Sequence, residues 1–286
     1  LARQLDTATR EALAERLRFY RELGLTEFYR RPVEEIAEPE AEAGSIAVAV
    51  AEEAPPVAPT AGNSQTQTRP FTEDGAIPPR KPIPAQPPIA DVVPAADRAA
   101  ALNIIREEIG ECTRCALHTG RNKLVFADGD PNARLMFVGE GPGADEDAQG
   151  LPFVGRAGQL LNNMISAMGL KREEVYICNV VKCRPPGNRT PEPEEANTCV
   201  PFLFKQIDVV RPQVIVALGA TAATYLLGQR QPLAGLRGRV HAFRGTQLIV
   251  TYHPAFLLRD PRQKKEAWVD LQIAMKELGL KAPAKG

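Results

Sequence analysis

The sequence predicts an α/β protein, three-layered as α/β/α around a four-stranded parallel sheet, preceded by a helix and a disordered linker. Three observations predict it. Four short, almost wholly apolar runs, "RLMFVGEG", "EVYICNVVKC", "QVIVALG" and "TQLIVTYHP", read as strands buried on both faces. Amphipathic stretches of helical length separate them, the pattern of a parallel sheet with helices on either side. The residues least typical of a core, "GEGPGADED", "Asn179…Cys183" and "HPAFLLR", follow the strands, at the sheet edge where ligands collect in such folds.

The elements follow in order. Residues 1–31 are expected to be helical, with Leu13, Leu17, Tyr20 and Leu23 forming a narrow apolar stripe suited to docking on a protein partner. Residues 32–95 form the expected linker. Positions 32–94 hold 13 of the chain's 26 prolines and few large apolar side chains, too little to offset the entropy of ordering. Residues 96–286 form the expected catalytic-sized domain. It opens with the helix "AADRAAALNIIREEI" and then alternates: a strand, the helix "GRAGQLLNNMISAMGL", a strand ending at Cys183, and the helix "EEANTCVPFLFKQIDVV". A third strand, the helix "ATAATYLLG", a fourth strand and the helix "KKEAWVDLQIAMKELGL" complete it.

Composition bounds the function. Acidic and basic side chains balance at 35 each, yet residues 1–100 carry 11 basic against 16 acidic and residues 101–286 carry 24 against 19. A mildly basic body permits nucleic-acid binding without requiring it. No apolar run is long enough to span a bilayer, so a soluble cytoplasmic monomer with no membrane partner is expected. In that compartment cysteines serve metals or catalysis more often than disulfides.

There are five cysteines. Cys112 and Cys115 form a C-x-x-C pair before the first strand, while Cys183 and Cys199 lie 16 positions apart. Cys178, mid-strand, reads as a small buried hydrophobe. A thioredoxin-like pair is disfavoured because a helix precedes it and no strand does. Four thiolates suit zinc and an iron–sulfur cluster equally on spacing alone. His118 reads as a loop residue. "GEGPGA" has a superficial dinucleotide fingerprint, but Pro142 stiffens the turn and the second strand ends in "NVVKC" without the acid that would grip a ribose. A nucleotide-dependent oxidoreductase is therefore disfavoured.

Taken together, "GEGPGADED", "GLPFVGRAGQLL", "VYICNVVKCRPPGNRTP" and "YHPAFLLR", in this order, resemble the family 4 uracil-DNA glycosylases over about residues 102–280. The resemblance implies the uracil-DNA glycosylase fold, uracil-containing DNA, single- or double-stranded, as substrate, and hydrolysis of the N-glycosidic bond. It implies a 4Fe–4S cluster on Cys112, Cys115, Cys183 and Cys199. Gly141, Phe153, Asn179 and His253 then line the uracil pocket: Phe153 stacks on the base, Asn179 reads its pairing edge, and His253 stabilises charge on O2. Such a site must extrude the nucleotide from the stack. The better-known family 1 enzymes place a water-activating aspartate where this chain has Gly141. Glu140 and Glu146 are then the nearest acids, with Glu146 also filling the space of a thymine methyl, and Asp145 and Asp147 are expected to face solvent. Leu257 and Arg259 correspond to a loop that wedges into the duplex and contacts a phosphate. A covalently trapping relative carries a histidine in an arginine-rich insertion after the second-strand cysteine. "RPPGNRTPEPEE" has neither, which favours turnover. The competing reading, a DNA-binding module that keeps the fold without the chemistry, would not need Phe153, Asn179 and His253 together.

Overall fold

A computed structural model describes residues 82–280. The helical segment expected over residues 1–31, and the linker as far as residue 81, lie outside the described residues. The four apolar runs form the centre of the sheet: β2 (Leu135–Gly139), β3 (Tyr176–Asn179), β4 (Val214–Leu218) and β6 (Thr246–Thr251). All are parallel, in the order β3-β2-β4-β6. Two short antiparallel edges extend the sheet, β1 (Asp128–Gly129) beside β3 and β5 (Val240–Phe243) beside β6. Neither was expected, because β1 is two residues long and β5 is largely exposed.

Alternation along the strands divides the core. Met136, Val138, Tyr176, Cys178, Ile215 and Ala217 face one side, under α1 (Arg98–Ile109), α4 (Pro193–Val210) and α5 (Ala220–Leu227). Leu135, Phe137, Ile177, Val214 and Val216 face the other, under α3 (Arg156–Ala167) and α8 (Lys264–Glu277). Both faces are covered, which is why the strands read as continuous apolar runs. Three further helices are short: α2 (Ala144–Gln149), α6 (Leu233–Leu236) and α7 (Pro254–Arg259). Cys183 does not end a strand. β3 stops at Asn179, and the backbone continues by pairing Val180 N with Gly139 O at 3.0 Å and Val181 N with Glu140 O at 3.1 Å before bending. Among the described residues no helix is long and apolar enough to cross a membrane.

The end of the expected linker departs from expectation. Residues 82–94 carry no helix or strand, yet they are strapped to the body. Prolines lack donors but keep their carbonyls, and side chains of the body supply the donors. Asn197 Nδ2 donates to Pro82 O at 3.1 Å. Arg244 donates to Pro87 O at 2.6 Å and Pro88 O at 3.1 Å. Arg211 donates to Ala90 O at 2.6 Å, and Ala90 N returns a bond to Asp208 Oδ2 at 3.1 Å. Ile83 and Val93 pack against the core. Residues 82–94 are therefore held against the folded body. A chain beginning at Asp97 loses these bonds, each worth about 1 kcal/mol net. It is expected to melt about 5 °C or more below a chain beginning at Lys81. Equal melting temperatures in a thermal scan would show that the strap contributes nothing.

Candidate active site

The register brings the strand ends to one level. Gly139 pairs with Asn179, and Leu218 with Thr251, so Glu140, Gly219 and His253 emerge together at the carboxyl edge of the sheet. A cavity of about 610 Å³ opens there. Glu140, Gly141, Phe153, Asn179, His253 and Arg259 all line it, as does Glu146. Leu257 does not.

Asn179 ends β3 on the face of the sheet that carries α3, 1 % exposed. Among the described residues no donor reaches its Oδ1. A buried amide oxygen without a partner is costly and calls for an explanation. Phe153 reaches the same point from the loop between α2 and α3 with a left-handed backbone, φ 52°. L side chains rarely adopt that region, so the surroundings must hold the loop there. Gly139 makes room for both: a Cβ there would collide with Asn179 Oδ1 and with the Phe153 ring. Gly141 is tight for another reason, since a Cβ would stand 2.7 Å from Val181 Cγ2.

His253 caps α7 by accepting from Ala255 N through Nδ1 at 3.1 Å. The neutral ring therefore carries its proton on Nε2. Its centroid lies 5.6 Å from that of Phe153, the planes tilted by 32°. Burial, then the Arg259 charge, push the imidazole down to about 4, against a smaller opposing pull from Glu146. The ring is neutral at neutral pH and presents an N–H donor.

The two acids differ. Both oxygens of Glu146 are engaged by backbone: Oε1 accepts from Val154 N at 2.9 Å and Gly155 N at 3.0 Å, and Oε2 from Gly143 N at 3.0 Å. It fastens the Phe153 loop. Among the described residues the Glu140 carboxylate accepts one bond, from the Thr221 hydroxyl at the start of α5. Asp145 is exposed as expected, but Asp147 is fully buried, accepting from Asn122 N at 2.9 Å and Asn122 Nδ2 at 2.5 Å.

Leu257 must be corrected. One turn into α7 it points into the core, 1 % exposed, and cannot wedge into DNA. Its neighbour Leu258 is the exposed one, at 37 %, beside exposed Arg259. Arg156, also exposed at the pocket rim, was missed, although it sits inside the "GLPFVGRAG" stretch already singled out.

Cys112, Cys115, Cys183 and Cys199 all border the core face that carries α1 and α4, and Cys178 is buried within it. Donors address the sulfurs: Arg114 Nη1 to Cys112 Sγ, Arg121 Nη1 to Cys183 Sγ and Lys182 N to Cys199 Sγ, each at 3.3 Å. Burial pushes Cys115, Cys183 and Cys199 up, the last to about 11, and neighbouring thiols of the set add to the rise. Left alone, such a set is protonated; a bound cation would remove that penalty and release the protons. Four thiols at the border of one core face are the donor type that zinc or an iron–sulfur group takes. Among the described residues no group of three or more His, Cys, Asp or Glu side chains is placed to hold a metal ion. Lys182 joins this region to the pocket, its buried amino group donating to Asn179 O at 2.7 Å and Gln206 Oε1 at 2.5 Å.

The uracil DNA glycosylase superfamily model matches residues 126–272, which contain β2, β3, β4 and β6 and every pocket residue named above. The chain belongs to this superfamily. It is 48% identical over 165 residues to a type-4 uracil-DNA glycosylase of Thermotoga maritima, covering 57% of this chain and 86% of the relative. The type-4 enzyme of Pyrobaculum aerophilum is 45% identical over 180 residues, 60% of this chain and 92% of that one. That of Archaeoglobus fulgidus is 40% identical over 191 residues, 64% and 96%.

The His253 environment makes a direct prediction. Between its ordinary value near 6.5 and about 4, the unfolded chain binds a proton here that the native chain refuses. Stability attributable to this residue is therefore full above that window and falls as pH drops through it. In an NMR titration the His253 ring should keep its neutral Nε2–H signature from pH 7.5 to about 5. A midpoint near the ordinary value would contradict the buried, capped geometry.

Proposed function

We propose that this chain removes uracil from DNA by hydrolysing the bond between uracil N1 and deoxyribose C1′, leaving free uracil and an abasic site. The observation that carries the proposal is the unpartnered Asn179 Oδ1, buried in a cavity beside an aromatic ring and a neutral histidine. Uracil supplies what is missing. Its N3–H donates to Oδ1, its O4 accepts from the amide, and the base plane lies on Phe153. An extruded nucleotide fits the cavity's position at the sheet edge, with Leu258 and Arg259 in the role first assigned to Leu257 and Arg259, and Arg156 at the rim beside them.

The chemistry follows from the side chains. As the C1′–N1 bond lengthens, its electron pair passes to the base and charge gathers on O2. The Nε2–H of neutral His253 donates to that oxygen, an interaction that strengthens in the transition state. The sugar becomes oxocarbenium-like and water adds to C1′. Of the two acids, Glu140 is the candidate to take the water's proton, because the oxygens of Glu146 are already engaged by three backbone donors. Gly141 leaves the floor of the pocket flat where an aspartate would meet Val181.

Cys112, Cys115, Cys183 and Cys199 would hold a 4Fe–4S cluster. When bound, it supplies a cross-link between the end of α1, the segment after β3 and α4, and no step of hydrolysis. A cytoplasmic location belongs to the same reading.

The direct test is release of uracil from single- and double-stranded oligonucleotides, followed by cleavage at abasic sites; no release from either would overturn the proposal. Specificity gives a sharper one. Asn179→Asp replaces the donor facing O4 with an acceptor suited to an amino group, so uracil excision should fall by about 10²-fold or more while weak cytosine excision appears. An Asp variant with parent uracil activity would mean that Asn179 does not read the base. For the cluster, the purified protein should be brown with about four irons per chain. Cys178→Ala should retain them, whereas Cys183→Ala and Cys199→Ala should lose both iron and stability. A colourless protein with stoichiometric zinc would refute the assignment.

A further inference from the structure

We infer that Arg172, which lies outside the pocket motifs just ahead of β3, is the positioning residue that holds the Phe153 ring in its stacking place. The inference rests on the reading of Phe153 as the base platform and adds the device that keeps it there.

The Phe153 loop is gripped from both sides, and the two grips divide the backbone chemistry between them. Glu146 takes the N–H groups of Val154 and Gly155. Arg172 takes the carbonyls that precede them: Nη2 donates to Pro152 O at 2.6 Å and Nη1 to Phe153 O at 3.1 Å. The same Nη1 also reaches Asn162 Oδ1 on α3 at 2.9 Å, which ties the loop to the helix that follows it. Nε donates to Asp128 Oδ2 at 2.8 Å, fixing the guanidinium plane from behind. On its other flank the Phe153 carbonyl group lies so close to Gly158 of α3 that a Cβ there would overlap it. A left-handed phenylalanine persists only where its surroundings determine it, and here the determination is a planar fork of donors reaching two successive carbonyls.

The anchor accounts for β1, the two-residue strand. Asp128 pairs with Ile177 and Gly129 with Tyr176 at the edge of the sheet. A Cβ on Gly129 would overlap Val175 O, so only glycine, at φ 106°, lets this strand close on β3. That approach sets Asp128 beneath Arg172, which itself begins the turn Arg172–Glu174 leading into β3. Neither Arg172 nor Asp128 lines the cavity, and Arg172 reaches it through the Phe153 carbonyl.

The test is a double-mutant cycle on the intact, iron-loaded chain, reading single-turnover uracil release from a single-stranded oligonucleotide. Arg172→Met in the parent should slow release by about tenfold to a hundredfold, the cost of a ring displaced by a fraction of an ångström to an ångström. Arg172→Lys should fall short of rescue, because an ammonium cannot present the planar fork. In a Phe153→Ala background, Arg172→Met should change the rate by less than about twofold. Equal losses in both backgrounds would overturn the inference, as would a folded Arg172→Met at the parent rate. Melting temperature and iron content establish folding; should the Met variant fail there, Arg172→Lys carries the same cycle. A Phe153→Ala variant at the parent rate would instead strike the stacking reading itself.

Discussion

At the end of β2 the chain has a glycine where any side chain would occupy space that two other elements need. Asn179 enters that space from the neighbouring strand and Phe153 from the loop before α3, and a Cβ on Gly139 would strike both. The parallel register then does the rest. With Gly139 level with Asn179, the period of two in β3 turns Cys178 toward the α1/α4 face and Asn179 toward the α3 face, where Phe153 lies. The pocket is thus a consequence of one missing side chain in a sheet whose strand ends are aligned.

Around that space the polar groups are arranged to be spent or withheld. Glu146 and Arg172 are spent on backbone, one on N–H groups and the other on carbonyls, and their product is a fixed aromatic ring. Lys182 is spent on Asn179 O and Gln206, between the pocket and the cysteines. His253 spends Nδ1 on capping α7 and desolvation lowers its pKa, which leaves Nε2–H as the donor of a ring that lines the cavity. Asn179 Oδ1 is withheld. A site that saturates every group except those facing the ligand is preorganised in the electrostatic sense.

Much of this was legible in the sequence, for identifiable reasons. The four central strands announced themselves because burial on both faces makes them continuously apolar, and the pocket residues lay at their ends. β1 and β5 were not legible, being two residues long or mostly exposed. α2 and α7 are six residues each, too short for helical periodicity to register. That shortness misplaced Leu257, which only the turn beginning at Pro254 directs inward. Asp147 read as a surface acid because its partners, Asn122 and Lys123, are local to another loop. Proline density in residues 82–94 suggested disorder, since composition counts missing donors but not carbonyls that distant arginines can use. Arg172 left no signal: its partners are backbone carbonyls, the Asn162 amide oxygen and a carboxylate 44 positions away.

Gly139→Ala tests the central claim most directly, read as single-turnover uracil release beside the melting temperature and the iron content. The added methyl lies where Asn179 and Phe153 meet. The variant should fold and keep its iron, yet release uracil at least about 10²-fold more slowly than the parent. A folded alanine variant that releases uracil at the parent rate would contradict the account, because the base would then not bind between those two side chains.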